Sequence, residues 1–151
     1  MATPRTDEAR IHIEAPPERV YGLVSDLPRM GEWSPECQAV EWVGEPGLPQ
    51  AGQRFRGHNR IGPYRWTMQG RILVAESGRE FCFATIEGEG EGTRWRYRFE
   101  AAGAGTDVVE SYEVVHEPWY IRIANLVVPR ARQLRRGMQQ TLERIKRAAE
   151  G

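Results

Sequence analysis

Along this chain the apolar positions repeat every second residue through the middle and every third or fourth residue at the end. Residues 10–14, Arg-Ile-His-Ile-Glu, alternate and predict a short strand with Ile11 and Ile13 inward and His12 outward. Pro16 and Pro17 follow. Proline suits a first helical turn, where its missing N–H has no intrahelical partner to lose. Val20, Leu23 and Val24 then fall on one helical face. Asp26, Pro28 and Gly31 break that helix. A second short helix or turn is expected to carry Leu27 to Trp33, ended by Pro35.

From residue 37 to 116 the period of two predicts strands near 37–44, 52–60, 64–75, 79–86, 94–102 and 106–116. Turn formers separate them: Glu45-Pro46-Gly47 with Pro49, Gly62-Pro63, Ser77-Gly78, Gly88 to Gly92, and Gly103 to Gly105. Connections this short make consecutive strands antiparallel neighbours. In residues 94–100 the alternation puts Trp95, Tyr97 and Phe99 on one face and Arg94, Arg96, Arg98 and Glu100 on the other. One side of the sheet is therefore apolar and the other faces water.

Beyond Pro118 the period changes. Val127, Ala131, Leu134, Met138, Leu142, Ile145 and Ala149 form one stripe at helical spacing. They predict a long helix from near Pro129 to near Ala149, with Pro129 in its first turn or at a kink. Residues 118–128 fit either loop or helix. The order is α+β: a strand, two short helices, six more antiparallel strands and a long helix. A sheet with one apolar face needs a cover, and the terminal helix carries the matching stripe. A strongly twisted sheet of seven strands curls around it.

Composition narrows the function. The chain has 151 residues, a length that predicts one domain over 1–151 with a core of its own. Its 21 basic and 21 acidic residues cancel, which removes the usual electrostatic case for nucleic acid or an anionic membrane as main partner. No apolar run approaches the ~18 residues of a membrane span, so stable insertion is not expected. The first ten residues lack the apolar segment of a secretory signal. Cys37 and Cys82 stand without CxxC or histidine neighbours and read as reduced packing residues of a cytoplasmic protein. His12, His58 and His116 sit on separate strands, so no metal site is expected. No cofactor motif is present. Gly88 to Gly92 alternates glycine with glutamate; it is acidic and leads into a strand, so it reads as a hairpin loop rather than a phosphate cradle.

The motifs "APPERVYGLVSDL", "WSPEC", "GQRFRGHNR", "GTDVVESYEV" and "GMQQTLERIKRAAE" resemble the START-like, or helix-grip (SRPBCC), superfamily. Within it the chain is similar to the bacterial polyketide cyclase/dehydrase-type group, over about residues 8–150. The resemblance implies a helix-grip fold with a cavity between curved sheet and terminal helix, holding a hydrophobic small molecule such as a lipid or polyketide. Some members of such families catalyse ring closure or dehydration, and many only bind or carry. Fold alone does not decide between them.

Continuing the alternation assigns inward faces. The inward set includes Val40, Trp42, Phe55, Gly57, Asn59, Trp66, Met68, Gly70, Ile72, Phe81, Phe83, Thr85, Trp95, Tyr97, Phe99, Val108, Glu110, Tyr112 and Val114. A solid core rarely needs Asn59, Glu110 and the hydroxyls of Tyr97 and Tyr112 together, whereas a ligand pocket wants apolar walls with a few polar anchors. The candidate ligand-binding residues are Trp33, Asn59, Trp66, Met68, Phe83, Trp95, Tyr97, Glu110, Tyr112, Leu134 and Met138. Glu110, Tyr97 and Tyr112 are the candidate catalytic groups, as acid or base and hydroxyl donors, with Asn59 as carbonyl anchor. Two readings stay open for Glu110: a buried carboxyl with a raised pKa, or a residue facing solvent or paired structurally with an arginine or tyrosine. Trp33 either roofs the pocket or packs the short helices onto the sheet, and Leu134 and Met138 either line the pocket or are plain core. Thr141 adds a hydroxyl on that face. Arg130, Arg132, Arg135 and Arg136, preceded by Trp119, Tyr120 and Ile121, fit contact with a membrane surface or an anionic ligand tail. The reading that asks less of them is the solvated face of the helix beside an apolar lid at the cavity mouth. Monomer and homodimer both remain open.

Overall fold

A computed structural model describes residues 6–127 and 130–151 (backbone only for 125–127). Strand β1 (Thr6–Ile13) leads into α1 (Pro17–Ser25), a 3-10 turn (Leu27–Arg29) and α2 (Met30–Trp33). Six strands follow: β2 (Cys37–Val43), β3 (Arg54–Ile61), β4 (Tyr64–Glu76), β5 (Glu80–Glu87), β6 (Gly90–Ala102) and β7 (Gly105–Val114). Helices α3 (Trp119–Val127) and α4 (Arg130–Glu150) close the chain.

The strands form one antiparallel sheet in the order β1-β7-β6-β5-β4-β3-β2. Successive strands from β2 to β7 are joined by hairpins. The α1–α2 segment carries the chain from one edge strand, β1, to the other, β2. Pro17 stands in the first turn of α1, as its fixed φ favours. Gly31 lets α2 press onto β2: a Cβ there would lie 2.4 Å from the Gln38 carbonyl oxygen.

Ile13, Phe55, Ile72, Phe81, Val108, Met138, Leu142 and Ile145 are among the most deeply buried side chains. Inward and outward residues alternate as the sequence predicts, across bulges at Cys37–Ala39, Ile72–Val74 and Ala84–Ile86. His12 faces outward, where Asp107 and Glu14 hold its ring nitrogens at 2.7 Å.

Several expectations change. The acidic glycine segment is not a five-residue loop. Glu87 pairs with Gly90, so the turn is Gly88-Glu89 and the rest is strand. Residues 119–127, which fitted loop or helix, are helix, and β7 ends at Val114 rather than 116. The convex face is not uniformly wet: Cys82 is fully buried there, beside the Arg96 side chain. The long Arg96 stem shields that apolar surface, its head paired with Glu80 at 3.2 Å. Pro129 and the side chain of Val127 lie outside the described residues.

Candidate functional site

Helix α4 packs chiefly on β1, with further contacts to α1, α2 and β7, at one side of the concave face. Polar ties hold it there. The Arg135 guanidinium donates twice to the Asp7 carboxylate, at 2.9 and 2.8 Å. Lys146 Nζ donates to the His12 carbonyl, and Arg19 Nε to the carbonyl of Ala149. Arg144 reaches the Trp33 carbonyl. With the helix fixed to that side, a half-open cavity of about 740 Å³ lies between it and the sheet. That volume lies within the ~300–1,000 Å³ typical of small-molecule pockets.

Its walls come from both layers. Asn59, Trp66, Met68, Phe83, Trp95, Tyr97, Glu110 and Tyr112 line it from the sheet, and Leu134, Met138 and Thr141 from α4. The Phe55 ring meets Phe83 edge-on, centroids 5.4 Å apart. It fits because residue 70 is glycine: a Cβ there would stand 2.3 Å from Phe55 Cζ. At Gly57, also on the wall, a Cβ would meet only Met68 Cγ at 3.7 Å, so the wall is recessed there. Trp95 lies against Tyr112 with ring centroids 5.3 Å apart.

One polar pair sits deep in this wall. Tyr97 and Glu110 are direct partners across β6 and β7. Tyr97 Oη donates to Glu110 Oε2 at 2.8 Å. Both residues are buried, and Glu110 Oε1 has no hydrogen-bond partner. Burial pushes the Glu110 carboxyl up to about 8, with the Tyr97 bond pulling slightly the other way. Burial and the neighbouring carboxyl hold the Tyr97 hydroxyl well above its ordinary value. At neutral pH the carboxyl therefore keeps its proton. Since Oε2 accepts from Tyr97, the acid proton belongs on Oε1, a donor without an acceptor. Of the two readings of Glu110, the structure combines parts of both: it is inward and buried, and it pairs with a tyrosine. Burial also raises the Tyr112 hydroxyl.

Trp33 corrects the reading that it roofs the pocket. It is buried and is not among the lining residues. The Arg29 guanidinium sits 5.1 Å from its ring, and the side chain packs the short helices into the core. Met30, Ser34 and Pro35 from the same segment border the cavity instead. Cys37 and Glu36 line it without a sign in the sequence, and Arg130, read there only as one of four arginines, joins them. The Cys37 thiol, read as packing, lines the cavity, donates to the Ala39 carbonyl and is pushed up to about 11 by burial. Arg130 and Glu36, which also line it, form an ion pair across 94 positions of sequence. Spacing offered no sign of that pair.

Among the described residues no group of three or more His, Cys, Asp or Glu side chains converges as a metal site, and no helix is long and apolar enough to cross a membrane.

The family model for polyketide cyclase / dehydrase and lipid transport matches residues 6–150. The chain belongs to that family. A polyketide-cyclase-like protein of Corynebacterium glutamicum, solved by NMR, is 32% identical over 98% of this chain and 93% of its own, with a TM-score of 0.63. A protein of Thermus thermophilus is 23% identical over 94% of each chain, TM-score 0.70. The Zhui aromatase/cyclase of a Streptomyces species is 17% identical over 95% of this chain and 94% of its own, TM-score 0.70. The last two show the shared helix-grip fold. No curated protein sequence matches the chain. Family membership agrees with a polyketide-binding or cyclase-type role and leaves the chemistry to the site.

Proposed function

We propose that the protein binds a hydrophobic small molecule, lipid- or polyketide-like, in the cavity between sheet and α4. The observation that carries this reading is a pocket of about 740 Å³, walled in large part by aromatic and aliphatic side chains, with the Glu110 carboxyl buried in its wall. Aromatic and aliphatic walls favour an apolar body. The unpaired Oε1 proton of Glu110 favours a ligand with an acceptor oxygen, a ketone or ester, placed deep in the cavity. Leaving such a donor without a partner costs about 1–3 kcal/mol, which a carbonyl oxygen offsets. An anionic carboxylate would face Glu110 less well, because the same burial that keeps Glu110 neutral disfavours any charge beside it.

The test is a solvent extract of the natively purified protein, examined by mass spectrometry, with displacement of an environment-sensitive apolar dye by neutral carbonyl compounds. A copurifying apolar molecule, or displacement that weakens in a Glu110→Ala variant, supports the reading. An empty extract together with no dye uptake overturns it.

The Glu110–Tyr97 pair also favours a second reading, a cyclase or dehydratase working in the same cavity. A carboxyl titrating near 8 is matched to proton transfer at neutral pH. Glu110 would exchange the proton, and Tyr112 and Asn59 would orient carbonyl groups of a folded chain. Glu110→Gln separates the two: retained binding with lost turnover marks the enzyme.

A further inference from the structure

Helix α3 carries an apolar face that no other element among the described residues covers. Trp119, Tyr120 and Ile123 are 72%, 57% and 56% exposed. At about 100° per residue, positions 119, 123 and 120 fall within one arc, with Arg122 flanking it. Ile121 points the other way, and it is Ile121 that lines the cavity. The helix thus has one side toward the cavity mouth and an aromatic side turned outward.

Charge tells what the outward side meets. Residues 118–142 hold five arginines and no aspartate or glutamate, in a chain whose 21 basic and 21 acidic residues cancel overall. Arg130 and Arg135 are answered by Glu36 and Asp7. Arg122, Arg132 and Arg136 are exposed and make no ion pair among the described residues. Tryptophan and tyrosine beside an isoleucine and arginines is the composition of a segment that lies at the headgroup level of a bilayer. Three side chains on about one helical turn are few for a protein partner, whose stable interfaces bury about 800 Å² on each side.

We propose that α3 seats the mouth of the cavity on an anionic lipid bilayer. Trp119, Tyr120 and Ile123 enter the interface, and Arg122, Arg132 and Arg136 draw the protein to acidic headgroups. Pro118 and Ile121, which line the cavity, belong to the same segment, so contact with the bilayer brings the mouth to the surface. Contact is peripheral, since no helix among the described residues is long and apolar enough to cross.

The test is flotation of the purified protein with vesicles of phosphatidylcholine alone and of phosphatidylcholine mixed with phosphatidylglycerol. The protein floats with the mixed vesicles, and binding falls as salt rises. Trp119→Ser/Tyr120→Ser/Ile123→Ser abolishes flotation. Arg122→Gln/Arg132→Gln/Arg136→Gln weakens it by roughly fivefold per arginine. All six side chains are exposed, so both variants keep the wild-type circular dichroism and melting curve. Failure of the wild type to float with acidic vesicles overturns the proposal. So does equal flotation with both vesicle types, or flotation of either folded variant at the wild-type level. Vesicle contact is read without any cargo, so an empty cavity leaves this proposal standing.

Discussion

Tyr97 and Glu110 face each other across β6 and β7, the tyrosine hydroxyl 2.8 Å from a carboxyl that burial keeps protonated. This pair gives the folded protein a pH dependence. The Glu110 carboxyl titrates near 8 in the fold, against 4.5 when exposed. Between those values the folded chain holds a proton that the unfolded chain releases. Each pH unit through that window therefore removes about 1.4 kcal/mol of stability. The contribution is whole below pH 4.5 and lost as pH climbs through 8. Urea unfolding across this range is expected to show a steeper decline for the wild type than for Glu110→Gln. Parallel declines would mean that Glu110 is solvated and ionised.

Removing the hydroxyl alone acts differently. In Tyr97→Phe, Glu110 loses its one hydrogen-bond donor, and that bond is what lowers its pKa. The Glu110 titration, followed by NMR, is expected to move further up. The variant should lose about 1–3 kcal/mol of stability, the usual cost of a buried polar group left unpaired. In a Glu110→Leu background the same change should cost less. A double-mutant cycle with no coupling would show that the pair does not interact as drawn.

Why the inward row of β6 was legible while its partner was not follows from the hairpin. Alternation alone put Trp95, Tyr97 and Phe99 on one face, and both Glu110 and Tyr112 inward. Pairing needs the turn as well. The structure pairs Ala102 with Gly105, so the turn is Gly103-Ala104. Counting five residues outward along each strand from that pair reaches Tyr97 and Glu110. A turn spread over Gly103 to Gly105 leaves the register uncertain by one, enough to hide the partner. The choice between the two readings of Trp33 was hidden for another reason. The residue lies in a four-residue helix between a glycine and a proline, too short for any periodicity to aim a side chain. Tertiary packing decided its direction. The Arg130–Glu36 pair was hidden by its 94-residue separation. The rim of the cavity is thus the part that local pattern reads least, because it is built where distant segments meet.

Two glycines of the cavity wall should respond in opposite ways. At Gly70 an added methyl meets the Phe55 ring at 2.3 Å, so the ring must shift out of its edge-on contact with Phe83. Gly70→Ala is expected to cost about 1–3 kcal/mol, measured by urea unfolding. At Gly57 the nearest atom is 3.7 Å away, and the space beyond is the cavity. Gly57→Leu should leave stability within about 1 kcal/mol, since glycine is a poor strand residue to begin with. The leucine fills the recess, so dye uptake should fall while the melting curve changes little. A Gly57→Leu protein that unfolds early and still takes up dye would show that the recess is not part of the ligand space.

Cys37 offers a readout of occupancy that needs no knowledge of the ligand. Its thiol lines the cavity, and burial pushes it up to about 11 from the ordinary 9. The thiolate is the reacting form, so a two-unit rise predicts alkylation roughly a hundredfold slower than for an exposed thiol at the same pH. Cys82, buried on the opposite face of the sheet, is also raised by desolvation. A Cys82→Ser variant leaves Cys37 as the reporter. In that variant, iodoacetamide labelling at mildly alkaline pH should be slow, and slower again when an apolar compound occupies the cavity. Labelling at the rate of a free thiol would place Cys37 in solvent. Labelling that ignores a compound known from dye displacement to bind would separate the thiol from the ligand space.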